Sequence, residues 1–128
     1  MLVVGLVLAA VAALIHVYIF ALESVLWTGQ RARSVFGLSP EQAATTKELA
    51  FNQGFYNLFL ALITGLGIVL TAVGSTAVGA TLVFAGAGSM VAAGLVLLIS
   101  SPSKWSAAVT QLAAPLLAVV LLAVGLSA

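Results

Sequence analysis

The sequence lacks cysteine and has very few charged residues. None of its 128 residues is cysteine, and only 5% are charged, whereas a soluble globular domain carries about 25% charged residues. The absence of cysteine excludes disulfides and thiolate-based zinc or iron–sulfur sites. With 63% hydrophobic residues and a mean hydropathy of +1.30, most of the chain is expected to be surrounded by lipid.

Basic residues are scarce as well. The chain has four Lys and Arg residues and a net charge of +1, and its only basic pair is Arg31 and Arg33. Neither the phosphate backbone of a nucleic acid nor a polybasic lipid anchor is indicated, so nucleic acid is not an expected partner. Within the apolar stretches His16 and Glu23 are the only strong ligand types, so we expect no metal site and no cofactor.

Long charge-free runs divide the chain into four predicted transmembrane helices. A spanning helix needs roughly 20 apolar residues, and the runs place spans at about residues 2–27, 49–72, 76–99 and 104–126. The first run lacks the charged start of a signal peptide, so we expect it to be retained. Short connections predict antiparallel neighbours. The expected fold is all-α, an integral membrane four-helix bundle with residues 1–128 as its single domain.

A polar segment at about residues 28–48 separates the first two spans. We interpret it as a cytoplasmic loop followed by the start of the second helix in the headgroup zone. Ser39 is placed as N-cap, with Pro40 at the first helical position and Gln42 at the third, which is a capping-box pattern. Gly74 and Ser75 are predicted to end the second span.

All four basic residues fall on one side of the predicted membrane topology: Arg31, Arg33, Lys47 and Lys104. The positive-inside rule therefore predicts that this side is cytoplasmic. Both termini and the turn at Gly74 are then expected on the extracytoplasmic side.

The third span repeats small residues at four-residue spacing, with Gly86 and Gly94 on the adjacent stripe; the repeat comprises Ala77, Thr81, Ala85, Ser89 and Ala93. Small residues let helix backbones approach closely in a membrane. Two readings stay open, packing within the bundle and an interface with a second copy or a larger membrane complex.

Polar side chains inside the predicted spans are the candidate functional residues. Ionisable groups in hydrocarbon cost roughly 2.5–3.5 kcal/mol, so they persist where they pair, line a cavity or act. His16 and Glu23 are seven residues apart, which puts them on one face of the first helix with an axial separation of about 10.5 Å. Depths counted at about 1.5 Å per residue place polar groups of three helices in one layer. We predict a ligand-binding pocket in the cytoplasmic half of the bilayer, formed by His16, Glu23, Asn52, Gln53, Tyr56, Asn57 and Gln111.

Each of these residues also has a purely structural interpretation. In that interpretation Glu23 reaches toward Arg31 or Arg33 at the interface, the amides act only as interhelical contacts, and Tyr56 is an ordinary interface aromatic. For His16 the alternatives are a bridged connection to Glu23 through water or Tyr56, and a dry core position with a single hydrogen bond.

Three functions remain open on these residues. The first is a protein that binds or moves a small amphipathic or lipid-like molecule in the pocket. The second is a membrane-embedded enzyme that uses His16 and Glu23 as an acid–base pair on a lipophilic substrate. The third is an accessory subunit of a larger membrane complex, docked through the third span.

Several short motifs together resemble a known family. They are His16-Val17-Tyr18, Glu23, Leu26-Trp27, residues 35–38, the run Asn52-Gln53-Gly54-Phe55-Tyr56-Asn57, and Gln111 with Pro115. The chain resembles, over nearly its whole length, the small bacterial and fungal membrane proteins grouped as domain of unknown function 1304. The resemblance implies a four-helix membrane architecture and a shared site for the polar residues. It implies no reaction. Separately, we expect the protein in a bacterial cytoplasmic (plasma) membrane.

Overall fold

The computed structural model describes residues 1–128 and contains only helices and their connections. The first helix continues into a π-helical turn, and a short 3₁₀ turn precedes the last helix. We number the helices α1 (Leu2–Phe20, followed by the π turn Ala21–Val25), α2 (Gln30–Phe36), α3 (Pro40–Ala72), α4 (Thr76–Ser100) and α5 (Trp105–Ser127, preceded by the 3₁₀ turn Pro102–Lys104).

Four of these helices are long and apolar enough to cross a membrane, namely α1 with its π turn, α3, α4, and α5 with its 3₁₀ turn. They form a bundle in which α1 and α4 each pack against both α3 and α5. The core consists mainly of small side chains, such as Ala9, Ala87 and Ala118. Many large apolar side chains lie on the outside of the bundle, as expected where lipid is the solvent and association depends on close packing.

The start of α3 confirms the predicted capping box. The Gln42 backbone N–H donates to the Ser39 hydroxyl at 3.1 Å, and the Ser39 backbone N–H donates to the Gln42 side-chain oxygen at 2.9 Å. The other end of α3 also follows the prediction, because Gly74 has a φ of 96° in the turn that leads into α4.

Two local features differ from the sequence-based expectation. The segment expected as a loop contains α2, which runs between Gly29 and Gly37 and ends where Gly37 adopts a left-handed φ of 65°. The first span was expected as one uniform helix, but it widens into the π turn, in which the Leu26 N–H donates to the carbonyl of Ala21 at 3.0 Å. One wide turn of this kind rotates the residues after it relative to a regular helix.

The small-residue repeat of α4 lies on its outer surface. Ala77, Thr81, Ala85, Ser89 and Ala93 are all exposed, whereas Gly86 and Gly94 on the adjacent stripe are buried. The contact with α3 and α5 is therefore made one stripe away from the repeat. Packing within the bundle does not account for the repeat itself, and an interface with a second copy or a larger complex remains a prediction.

Close approach between α3 and α4 depends on glycine. A Cβ atom added at Gly67 would lie 2.7 Å from the carbonyl oxygen of Gly79 and 2.7 Å from the backbone nitrogen of Val83. Both neighbours are backbone atoms, so neither can move without shifting a helix. At Gly65, two residues earlier, an added Cβ meets nothing within 4 Å.

We predict that Gly67→Ala destabilises the bundle, whereas Gly65→Ala leaves it unchanged or slightly more stable. Overpacking of this kind typically costs about 1–3 kcal/mol. Thermal unfolding of both variants in the same detergent, followed by circular dichroism, measures the difference. Equal midpoints for Gly67→Ala and the unmodified protein would contradict the proximity of the two helices.

Candidate functional site

Glu23 lies in the π turn at the end of α1 and is almost completely buried. Its Oε2 accepts a hydrogen bond of 2.7 Å from the side-chain amide of Asn57 on α3. The same amide nitrogen also donates to the backbone carbonyl of Gln53 at 3.2 Å. The structure thus brings together two of the predicted site residues, and Glu23 points into the bundle rather than toward Arg31 or Arg33.

Two further hydrogen bonds join this end of α1 to α3. The Ser24 hydroxyl donates to the carbonyl of Phe51 at 2.8 Å, and the Trp27 indole N–H donates to the Thr46 hydroxyl at 3.0 Å. The π turn can approach this closely because α3 has Gly54 at the contact, where an added Cβ would run into Ser24 and would lie 3.1 Å from the Cβ of Glu23. Glu23 and Asn57 therefore belong to a rigid polar seam between the two helices.

Three predicted residues do not join this seam. Asn52, Gln53 and Tyr56 are exposed, Tyr56 by 63%, and the Asn52 amide donates to the carbonyl of Glu48 on its own helix. The expected convergence of Asn52 and Gln53 with Glu23 and Gln111 is therefore not present. The reason is helical geometry: the stripe that α3 buries runs through Ala50, Gly54, Asn57, Ala61 and Thr64. At 100° per residue Tyr56 and Asn52 fall well outside it, and Gln53 falls at its edge.

His16 is 1% exposed and faces the bundle interior, on the same side of α1 as Ala9 and Ala12. Its Nδ1 lies 2.9 Å from the carbonyl oxygen of Ala12, so Nδ1 carries a proton and donates to that carbonyl. Tyr56, the residue considered as a bridge to Glu23, points outward. The single hydrogen bond within the chain matches the structural alternative for His16. No three side chains among His, Cys, Asp and Glu come together as a metal site.

Gln111 lies in a different place, a cavity of about 360 Å³ that is the most enclosed of the main cavities of the chain. One wall is a stripe of α1 that lies about a quarter turn around the helix from Glu23, and the others come from α2, α4 and the start of α5. The lining residues are Ile15, Tyr18, Ile19, Leu22, Arg31, Ser34, Val35, Phe36, Leu97, Ser106, Ala107, Thr110 and Gln111. Neither His16 nor Glu23 is among them. Leu22, which is fully buried, stands next to Glu23 in sequence but faces this cavity.

Most of the cavity wall is apolar, and its polar groups include one cation and no carboxylate. The Arg31 Nε–H donates to the hydroxyl oxygen of Tyr18 at 2.9 Å, which joins α2 to α1 across the cavity. No carboxylate of the chain lies within 4.0 Å of the Arg31 guanidinium. The two terminal guanidinium nitrogens are thus available to an occupant of the cavity.

The predicted set missed Tyr18, Arg31 and Ser34, which line the cavity, and Ser24, which belongs to the seam. A signal for the cavity was present in the sequence. Ile15, Tyr18, Ile19 and Leu22 have the 3–4 spacing of one helical stripe, distinct from the stripe of His16. Arg31 and Ser34 are three apart and share one face of a short helix, but this face becomes recognisable only once Gln30–Phe36 is read as helical rather than as loop.

We predict that the seam depends on the shape and hydrogen bonding of Glu23. Glu23→Gln keeps an acceptor for Asn57 and is expected to change the free energy of unfolding by less than about 1 kcal/mol. Glu23→Leu leaves the Asn57 donor without this partner and is expected to cost about 1–3 kcal/mol, part of which Asn57→Leu in the same chain restores. Denaturant unfolding curves in detergent for five chains measure this: the unmodified protein, Glu23→Gln, Glu23→Leu, Asn57→Leu and the double leucine variant. Additive effects of the two leucine substitutions would show that the pair does not interact.

Comparison with known proteins identifies the family to which the chain belongs. A family described as "Protein of unknown function (DUF1304)" matches residues 10–123, which is most of the chain and includes both the seam and the cavity. Neither the curated proteins nor the solved structures include a match to this sequence. The match agrees with the resemblance drawn from the polar motifs, and the chain belongs to the DUF1304 family of proteins of unknown function.

Proposed function

We propose that this protein is a membrane-embedded binding protein that takes a small amphipathic or lipid-like molecule into the cavity between α1, α2 and α5. The observation that carries the proposal is the cavity itself, about 360 Å³ in volume, with a mostly apolar wall and a few polar groups. Ligand sites in proteins are typically concave and mostly apolar, with volumes of about 300–1,000 Å³ and a small number of polar groups that orient the ligand.

The position of the polar groups supports an amphipathic rather than a wholly apolar occupant. Arg31, Ser34 and Ser106 belong to α2 and the first turn of α5, whereas Ile15 lies near the middle of α1, toward the apolar centre of the bundle. A ligand with a polar head and an apolar tail matches this arrangement. Tyr18 is 44% exposed at the edge of the cavity, so an entry route from the surrounding lipid lies beside it.

The geometry favours binding over acid–base catalysis by His16 and Glu23. Neither residue lines the cavity, and each already has a hydrogen-bond partner inside the bundle, Ala12 for His16 and Asn57 for Glu23. A general acid or base must come within hydrogen-bond reach of its substrate. The amphiphile-binding proposal uses the open cavity and leaves the seam as structural support.

We further propose that the cavity opens in the cytoplasmic half of a cytoplasmic (plasma) membrane, with antiparallel neighbouring helices and both termini outside. Support comes from the four basic residues. The Trp27–Thr46 hydrogen bond brings the segment before α2 to the start of α3, beside Lys47. Arg31 and Ser106 line one cavity, which brings α2 to the start of α5, beside Lys104. All four cations thus share one end of the bundle, which the positive-inside rule assigns to the cytoplasm.

Filling the cavity tests the binding function. Ala107 lines the cavity and Ala113 is exposed on the same helix, so Ala107→Leu and Ala113→Leu add the same volume inside and outside it. The probe is a single-chain alcohol with a photoreactive diazirine in its chain. We expect crosslinks to map to the cavity-lining segments of α1 and α5, and to fall severalfold in Ala107→Leu but not in Ala113→Leu. Labelling spread evenly over the exposed helix faces, and equal in both variants, would refute the proposal.

Single cysteines test the orientation, because the chain has none of its own. Ser34 and Ser75 are both exposed and lie in segments at opposite ends of α3. If the end of the bundle that carries the four cations is cytoplasmic, an impermeant thiol reagent applied to intact cells labels Ser75→Cys and not Ser34→Cys. Membrane disruption then exposes the second site as a positive control. The reverse pattern in intact cells would overturn the orientation.

A further inference from the structure

We propose that the occupant of this cavity is a single-chain amphiphile with a carboxylate head, which Arg31 binds after Tyr18 has positioned its guanidinium. This inference rests on the proposed binding function and specifies the chemical class of the ligand. It is carried by the composition of the cavity wall, which has a cation without a counter-ion and no acidic residue.

No carboxylate of the chain balances the charge of Arg31. The chain has three acidic residues, Glu23, Glu41 and Glu48. Glu23 faces Asn57 and does not line the cavity, and Glu41 and Glu48 lie in α3, which contributes nothing to the cavity wall. Arg31 is an exposed part of the cavity wall, so an anionic group is favoured there mainly through directed, charge-assisted hydrogen bonds. An anionic head therefore supplies what the protein itself does not supply to Arg31.

The hydrogen-bonding groups point to the same ligand class. Arg31 uses Nε on the Tyr18 oxygen, which leaves its two terminal nitrogens side by side, the geometry that carboxylates accept in a bidentate manner. Because the Tyr18 oxygen is the acceptor in that bond, its own O–H is free to donate to the ligand. Gln111 contributes a side-chain amide to the same wall. The cavity thus presents a cluster of donors.

Volume and charge select a carboxylate on one chain. A cavity of about 360 Å³ lies at the lower end of small-molecule sites, which suits a head with one chain and not a lipid with two. A phosphate monoester carries about −1.5 to −2 at pH 7, so the single cation would leave negative charge uncompensated. A carboxylate carries one charge and is balanced by Arg31.

Competition against the photoreactive alcohol tests the headgroup. The competitors share one alkyl chain and carry a carboxylate, a phosphate, a hydroxyl or a trimethylammonium head. We expect the carboxylate to compete best, the phosphate next, the alcohol weakly and the cation least. In Arg31→Gln the affinity for the carboxylate is expected to fall severalfold, because a charge-assisted pair is lost, while the affinity for the uncharged alcohol falls by a clearly smaller factor.

Matched variants separate the site from general effects. Lys47→Gln removes one exposed cation from the same end of the bundle, outside the cavity, and is expected to preserve the preference for the carboxylate. Tyr18→Phe removes the acceptor that holds Arg31 and is expected to reduce carboxylate binding by a smaller factor than Arg31→Gln, again lowering the ratio of carboxylate affinity to alcohol affinity.

The outcomes distinguish the two proposals. If the alcohol and the carboxylate bind with equal affinity and Arg31→Gln changes neither affinity, the carboxylate inference is overturned and the binding function still stands. Preference for the phosphate over the carboxylate also overturns it. If Arg31→Gln abolishes binding of both the alcohol and the carboxylate, its fold is disturbed, and Arg31→Lys is measured instead. In Arg31→Lys a carboxylate-to-alcohol affinity ratio above one supports the inference, and a ratio of one refutes it.

Discussion

A carboxyl group inside an apolar bundle needs a hydrogen-bond donor, and the donor for Glu23 is Asn57 on α3. Leaving such a group without a partner costs several kcal/mol in a membrane interior. The bond therefore fixes how the end of α1 rotates against α3, and the π turn supplies the rotation. Gly54 on α3 leaves room for the contact, and Ser24 adds a second hydrogen bond beside it.

The same rotation separates two neighbouring residues of the π turn. Glu23 faces α3, and Leu22 faces the cavity formed with α2, α4 and α5. One face of α1 is thus closed by hydrogen bonds, and an adjacent face borders a partly open cavity. The division explains why the polar residues of this small protein do not form a single site. The seam holds the wall of the cavity in place, and the donors of the cavity, Arg31 and Tyr18, come from residues outside the seam.

Much of the architecture could be predicted from composition and local pattern. Charge-free runs indicated four membrane-spanning helices, and the pattern from Ser39 to Gln42 indicated the start of α3 because capping depends only on neighbouring residues. The shared face of His16 and Glu23 followed from helical periodicity. The fold of this membrane protein is, to that extent, readable from one sequence.

The site was less predictable, for two physical reasons. Depth in the membrane places residues in a layer but says nothing about their angle around the helix, so Asn52 and Tyr56 were grouped with Asn57 although they point outward. The π turn also breaks the regular period that such an argument uses. The role of Arg31 depends on α2 folding over the end of α1, a tertiary contact that no local pattern announces.

The central claim is that the occupant lies on the cavity side of α1 while the seam stays closed. An experimental structure of the protein solved with a bound single-chain carboxylate amphiphile in a lipid environment tests it most directly. The account predicts density for the head beside Arg31 and Tyr18, with the chain running toward Ile15, and an intact hydrogen bond between Glu23 and Asn57. Density for the head between Glu23 and Asn57, with their hydrogen bond broken and the cavity beside Arg31 empty, would contradict it.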